Sequence, residues 1–220
     1  MTTAHGLPNN TVRSVFQDHS GRIWMGTQNG LASYDGNRVA VHALNDARGR
    51  EQIPAPRIRQ IAEDGRHRIW LVLGDGRAAC FDPVGGCLSD VRGDGSYVLE
   101  ANRIWIAASG EAWLWHGSRP ALWRMPVDGR LSRLVLQEGE SVRQMAEDKD
   151  GNLYVGTTRR LLFRPAGRSV FACIGRGHDY LQAVDAGPEG GACWASRDGK
   201  LWRTDGKGGV PLTRCSPSQL

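Results

Sequence analysis

One aromatic-centred phrase recurs along this chain and limits what it can fold into. It reads Arg22-Ile23-Trp24-Met25-Gly26-Thr27, then Arg68-Ile69-Trp70-Leu71-Val72, then Arg103-Ile104-Trp105-Ile106-Ala107. It returns as Asn152-Leu153-Tyr154-Val155-Gly156-Thr157 and as Ala192-Cys193-Trp194-Ala195-Ser196. Neighbouring copies lie 46, 35, 49 and 40 residues apart. That spacing brackets the ~40–50 residue period of a four-stranded propeller blade. A lone blade cannot bury both its faces, so such repeats must stack on one another.

The first copy shows the unit most clearly. Thr11 to Gln17 is a run with β-branched and aromatic residues, and Asp18-His19-Ser20-Gly21 is a turn composition. Asp there can bond its own backbone and Gly accepts a positive φ. Arg22 to Thr27 makes the second strand, and Asn29-Gly30 is a strong hairpin signal. Leu31 to Tyr34 and Arg38 to Leu44 complete four antiparallel strands around the Asp35-Gly36-Asn37 turn. Copies two, four and five fit the same scheme. Copy three departs from it, with a short first hairpin at Glu100-Ala101-Asn102 and extra aromatics at Trp113, Trp115 and Trp123. No stretch carries a sustained helical period.

The expected fold is therefore all-β: a β-propeller of about five four-stranded antiparallel blades, closed or a partial ring of a larger propeller. One domain spans 1–220, with blades at roughly 9–50, 56–92, 94–138, 140–176 and 179–216. Trp24, Trp70, Trp105, Tyr154 and Trp194 are assigned a structural role, each on a second strand and buried between blades. A large flat ring there fills the gap to the next blade and buries ~150–250 Å².

Composition narrows the function classes. The net charge is +5, but the basic residues are scattered and form no nucleic-acid motif. No apolar run reaches the ~18 residues of a membrane span. Met1-Thr2-Thr3-Ala4-His5 does not read as a signal peptide. The five cysteines form no CxxC pair, and no metal site or cofactor is expected. Cys80 and Cys87 flank a turn-rich linker, where a cross-strand disulfide and two free thiols are both open readings. No nucleophile elbow, phosphate loop or HExxH helix occurs, and the six histidines share no common place in the repeat. The stretch Asp148-Lys149-Asp150-Gly151-Asn152 reads as a turn, not a calcium loop.

The run Gly6-Leu7-Pro8-Asn9-Asn10-Thr11-Val12-Arg13-Ser14-Val15 resembles the opening of the two-component regulator propeller family. So does its continuation through Gln17-Asp18, Gly21, Ile23-Trp24, Gly26-Thr27, Gly30-Leu31 and Tyr34-Asp35-Gly36. The fourth copy is similar through Val142-Arg143, Glu147-Asp148, Gly151 and Gly156-Thr157. The resemblance implies a non-catalytic sensory module. It would serve as the periplasmic input part of a membrane-anchored histidine kinase, hybrid regulator or diguanylate cyclase. A cytoplasmic location is expected if the chain is complete as it stands. Family propellers usually have seven blades, so five suggest a piece of a longer sensor. Apolar faces left at the terminal blades would then favour self-association. The ligand would be a small molecule, a glycan or a protein, with no nucleic acid and no membrane insertion. The alternatives are a propeller-fold lyase, which needs a His and a Glu converging at one rim, and a protein-interaction scaffold.

Arg13, Arg59 and Arg143 are the candidate ligand-binding residues. Each lies eleven residues before its blade's central aromatic, near the start of the first strand. Gln182 takes that place in copy five, twelve residues before Trp194, and copy three has no counterpart. First strands line a propeller's axial channel, so these side chains would converge on one rim and could grip a carboxylate or sulfate. The competing reading has each Arg locking blades together through backbone carbonyls or through Glu63, Glu147 and Asp148.

Overall fold

The computed structural model describes residues 1–44, 55–83, 87–92, 98–128, 130–176, 181–187, 190–196, 200–204 and 209–212. Apart from one 3-10 turn at Thr3–His5, the regular structure among them is β-strand. The first sheet holds β1 (Val12–Gln17), β2 (Ile23–Thr27), β3 (Gly30–Tyr34) and β4 (Val39–His42). The second holds β5 (Ile58–Glu63), β6 (Ile69–Leu73), β7 (Ala78–Asp82) and β8 (Cys87–Asp90). The third holds β9 (Arg103–Ile106), β10 (Ala112–Trp115), β11 (Ala121–Met125) and β12 (Ser132–Val135). The fourth holds β13 (Val142–Glu147), β14 (Leu153–Thr157), β15 (Arg160–Arg164) and β16 (Ala172–Arg176). The fifth holds β17 (Leu181–Ala186), β18 (Ala192–Ser196), β19 (Leu201–Thr204) and β20 (Gly209–Leu212).

Every sheet is a meander whose spatial order follows the chain. The strand pairs are antiparallel, as tight turns between successive strands require. By contacts the chain divides into two compact units: Met1–His116 with Leu122–Leu134, and Gly117–Ala121 with Val135–Leu220.

Within the first unit, alternate residues of each strand face opposite ways, and this decides which rings meet. Trp24 and Leu31 pack against Ile58, Ile61, Ile69, Leu71 and Phe81 of the second sheet. Their strand neighbours Met25 and Ala32 face the other way, where Leu7 covers them. The Trp24 and Phe81 rings meet edge-to-face at 6.1 Å. In the second unit, Tyr154 and Phe163 of the fourth sheet share a core with Val184, Trp194 and Trp202 of the fifth.

Each first hairpin is closed by a four-residue turn whose last amide bonds the first carbonyl. The pairs are Gly21 to Asp18, His67 to Asp64, Gly110 to Ala107, Gly151 to Asp148 and Gly190 to Gly187. In three sheets the leading Asp also clasps the central ring. Asp64 Oδ2 accepts the Trp70 indole N–H at 2.7 Å, and Asp18 Oδ2 accepts that of Trp24 at 2.8 Å. Asp148 Oδ2 accepts the Tyr154 hydroxyl at 3.1 Å and the Gly191 amide of the next sheet at 3.1 Å. Arg22 and Arg68 lie over the Trp24 and Trp70 rings, 5.8 and 5.6 Å from their centroids. The Arg-Ile-Trp phrase and its upstream Asp thus form one clasp. Burial alone would raise the Asp64 carboxyl. Hydrogen bonds from Trp70 and Arg68 and from the Arg68 and Arg66 amides outweigh it and hold the group below its ordinary value. The Asp18 and Asp148 carboxyls are lowered in the same way against their own burial.

One of the five aromatic assignments is corrected by the register, and a second keeps its burial between sheets but shifts by one residue in the repeat. Trp105 is on β9, the first strand of its sheet, where it pairs with Trp113 and is half-buried. The central ring of the third sheet is Trp113, 1% exposed and three residues after the turn glycine Gly110. The stretch Glu100-Ala101-Asn102 is not the hairpin turn: the Ala101 amide bonds the Gly76 carbonyl and Glu100 bridges Arg77. Trp194 is on a second strand as expected and is 8% exposed. It faces back toward the fourth sheet, however, paired with Val184, so Cys193 holds the place that Trp24 and Trp70 hold in theirs. In the corrected order the central positions are 24, 70, 113, 154 and 193. Cys80, Cys87, Cys173 and Cys193 are free thiols. Cys80 pairs with Ser89 and Cys87 with Asp82, so the two candidate partners do not face each other.

Candidate functional site

The first strands of adjacent sheets lie side by side within each unit: β1 beside β5, β5 beside β9, and β13 beside β17. Side chains at equivalent positions of these strands are therefore brought near one another.

The candidate residues share a local geometry that their spacing did not reveal. Val12 pairs with Thr27 and Ser14 with Gly26, leaving Arg13 as the extra residue of a β-bulge. Ile58 pairs with Leu73 and Gln60 with Val72, which leaves Arg59 in the same state. The pairs Val142–Thr157 and Gln144–Gly156 do this for Arg143, and Leu181–Ser196 and Ala183–Ala195 for Gln182. A bulge residue is freed from the ladder, so its side chain is re-aimed; bulges concentrate near functional sites. Gln182 lies eleven residues before Cys193, the same spacing that the three arginines keep from their central rings. Its backbone is described, but its side chain lies outside the described residues. The third sheet's counterpart is Asn102, just before β9.

All three arginines are exposed. Arg13 Nη2 donates to Gln28 Oε1 at 3.4 Å within its own sheet. Arg59 and Arg143 make no hydrogen bond or ion pair among the described residues. Two of the acids considered as inter-blade partners are engaged elsewhere: Glu63 faces two histidines, and Asp148 closes its own turn. Locking between β5 and β9 comes instead from Gln60, beside the bulge. Its amide donates to the Ile104 carbonyl at 2.6 Å and accepts the Ile104 N–H at 3.1 Å. What the bulges offer chemically is fixed positive charge with several N–H donors, suited to carboxylate, sulfate or phosphate.

Sequence reasoning missed a second constellation at the far end of the same strands. It found no place where a His meets a Glu, yet the fold brings His19 and His67 together on Glu63. Arg59 and Glu63 are four residues apart on β5, roughly 13 Å in an extended strand. The one signal in the sequence was His67 standing where the other four hairpin turns carry glycine.

Residues 6–29 and 137–159 match the Two component regulator propeller family. No curated protein matches the chain in sequence. Among solved structures, the chain is similar to virginiamycin B lyase from Staphylococcus aureus, at 11% identity and a TM-score of 0.62. That match covers 94% of this chain and 71% of the lyase. It is also similar to the extracellular domain assigned to a one component system of B. thetaiotaomicron, at 17% identity and a TM-score of 0.62. A third similar structure is the extracellular domain assigned to a hybrid two component system of the same organism, at 20% identity and a TM-score of 0.54. The matches cover 94% of this chain in both cases, but 30% and 28% of the sensor domains. At such identities the likeness shows the fold. The chain has the β-propeller fold, and two of its five repeats match the two-component regulator propeller family.

Proposed function

We propose that this chain is a non-catalytic sensory propeller, the ligand-receiving part of a bacterial signal-transduction protein. A histidine kinase, hybrid regulator or diguanylate cyclase would carry the output. The observation that carries the reading is the regulator-propeller match at residues 6–29 and 137–159. The proposed location is outside the cytoplasm, in keeping with the extracellular sensor domains that share the fold. The proposed ligand is anionic, a carboxylated or sulfated small molecule or glycan. It would be gripped by the exposed bulge side chains Arg13 and Arg59 on neighbouring sheets of the first unit. Arg143, with Gln182 at the equivalent bulge of the fifth sheet, would form a second such pair within the other unit.

One observation favours a second reading. His19 and Glu63 do converge, as a propeller-fold lyase requires, and lyases are among the similar structures. Incubation of the purified chain with quinupristin, the compound held in a structure of inactive virginiamycin B lyase that shares the fold, read by mass spectrometry, separates the two. The sensor reading expects no change in the substrate. Turnover that survives purification and disappears in His19→Ala overturns it in favour of the lyase.

A further inference from the structure

A contact between successive hairpin turns recurs at three junctions, each within one of the two units. The second turn residue of one sheet lies against the fourth turn residue of the next. Between the second and third sheets these are Gly65 and Gly110, joined by a Gly65 N–H bond to the Gly110 carbonyl at 3.1 Å. A Cβ on Gly110 would come within 2.6 Å of the Gly65 Cα. Between the fourth and fifth sheets they are Lys149 and Gly190, and a Cβ on Gly190 would meet the Lys149 side chain at 3.6 Å and the neighbouring Asp150 carboxylate at 3.3 Å. The junction has little room.

Between the first and second sheets the same two places hold His19 and His67. Their rings stack with centroids 3.6 Å apart. His67 occupies the fourth turn place at φ 61°, where Gly21, Gly110, Gly151 and Gly190 take φ of 84°, 83°, 78° and 98°. It is the one non-glycine residue with positive φ among those described. Left-handed backbone is costly for a side chain that has a Cβ, although His tolerates it better than most. Glu63, at the end of β5, completes the group. Its side chain is only 8% exposed and faces both rings. Oε1 lies 3.1 Å from His67 Nδ1 and also contacts His19 Nδ1. Oε2 accepts the His19 backbone N–H at 2.8 Å, which fixes the carboxylate's orientation.

We propose that His19, Glu63 and His67 form a binding site for a first-row divalent transition metal, Zn²⁺ in particular. The three donor atoms lie within 4.8 Å of one another. Bonds of ~2.0–2.2 Å in tetrahedral geometry need donors about 3.3–3.5 Å apart, so small side-chain rotations suffice. Two imidazoles and one carboxylate select Zn²⁺ and its neighbours over Mg²⁺ or Ca²⁺, which take oxygen ligands. The His19 amide bond to Glu63 is the kind of outer contact that orients a metal-bound carboxylate. His19 and His67 side chains are 52% and 57% exposed, so the fourth coordination position opens to solvent. The bound ion would tie the first sheet to the second, where the junction of the second and third relies on close backbone approach.

The test is calorimetric titration of the untagged chain with ZnCl₂, with Co²⁺ absorption as a second readout. The wild type should take up one ion per chain, show tetrahedral Co²⁺ bands and melt higher with Zn²⁺ than with EDTA. His67→Gly is the informative variant, because glycine suits that backbone. It should melt at or above the wild type in EDTA, yet bind Zn²⁺ at least about tenfold more weakly and gain no thermal shift. Glu63→Gln should lose affinity likewise, and His5→Ala should leave it unchanged. Failure of the wild type to bind, or undiminished binding by His67→Gly, overturns the site.

Discussion

Replacing Asp64 by Ala removes one acceptor that serves several donors. Its carboxylate accepts the Trp70 indole N–H at 2.7 Å, the Arg68 Nε–H at 2.7 Å, and the Arg66 and Arg68 amides at 2.9 and 3.1 Å. Arg68 Nη2 pairs with it at 2.7 Å. The donors differ in what they lose. Trp70 is 1% exposed, so its indole N–H cannot turn to water and leaving it unmet costs about 1–3 kcal/mol. The Arg68 side chain is 34% exposed and recovers most of its solvation. The two amides sit in a surface turn and add about 0.5–1 kcal/mol together. The sum is a loss of about 1.5–4 kcal/mol, with Asp64→Asn nearer 1–2 kcal/mol because one acceptor oxygen remains. The effect has a pH signature. The folded-state carboxyl lies below its ordinary value of 3.8, so the unfolded chain binds the proton first. The stabilisation is complete above that value and fades as pH falls through the folded one. Urea unfolding followed by tryptophan fluorescence between pH 7 and pH 3 reads both. A variant within about 0.5 kcal/mol of wild type at pH 7, or a gap that widens in acid, refutes the clasp as a stabilising element.

Three further outcomes follow from the register and the contacts. Trp113→Ala should cost about 3–5 kcal/mol and Trp105→Ala clearly less, measured by the same unfolding, because only Trp113 fills the buried central place. Gln60→Ala should lose about 1–3 kcal/mol by leaving the Ile104 N–H and C=O without their partner, seen also as faster amide exchange at Ile104. Val41 is 55% exposed on the edge strand β4, and an exposed apolar edge is predicted to promote self-association. Light scattering over about a hundred-fold concentration range should show a rising mass, and a constant monomer mass counts against it.

The parts legible in the sequence were those set by local chemistry. Trp24, Trp70 and Tyr154 were placed correctly because an Asp-led turn precedes each, and the turn sets which strand follows. Trp105 was misplaced because Arg103-Ile104-Trp105-Ile106 copies the phrase without its turn. The glycine three residues ahead of the central ring, Gly110 before Trp113, was the better guide. Trp194 is buried between sheets as expected but stands one residue beyond the place of Trp24 and Trp70, and in a strand one residue exchanges faces. The bulges at Arg13, Arg59, Arg143 and Gln182 occupy one place in the repeat, so spacing found the residues but not the geometry. The His19–Glu63–His67 group depends on contact between sheets, which no local pattern encodes.

The central claim, a sensor that receives an anionic ligand on its first-strand bulges, is tested most directly by ligand-induced thermal shift. The wild type and an Arg13→Ala/Arg59→Ala double variant would be screened against carboxylated and sulfated saccharides and small acids. The account predicts that at least one compound raises the wild-type Tm in a saturable way and leaves the double variant unmoved. Equal shifts in both proteins, or none in the wild type, would contradict it.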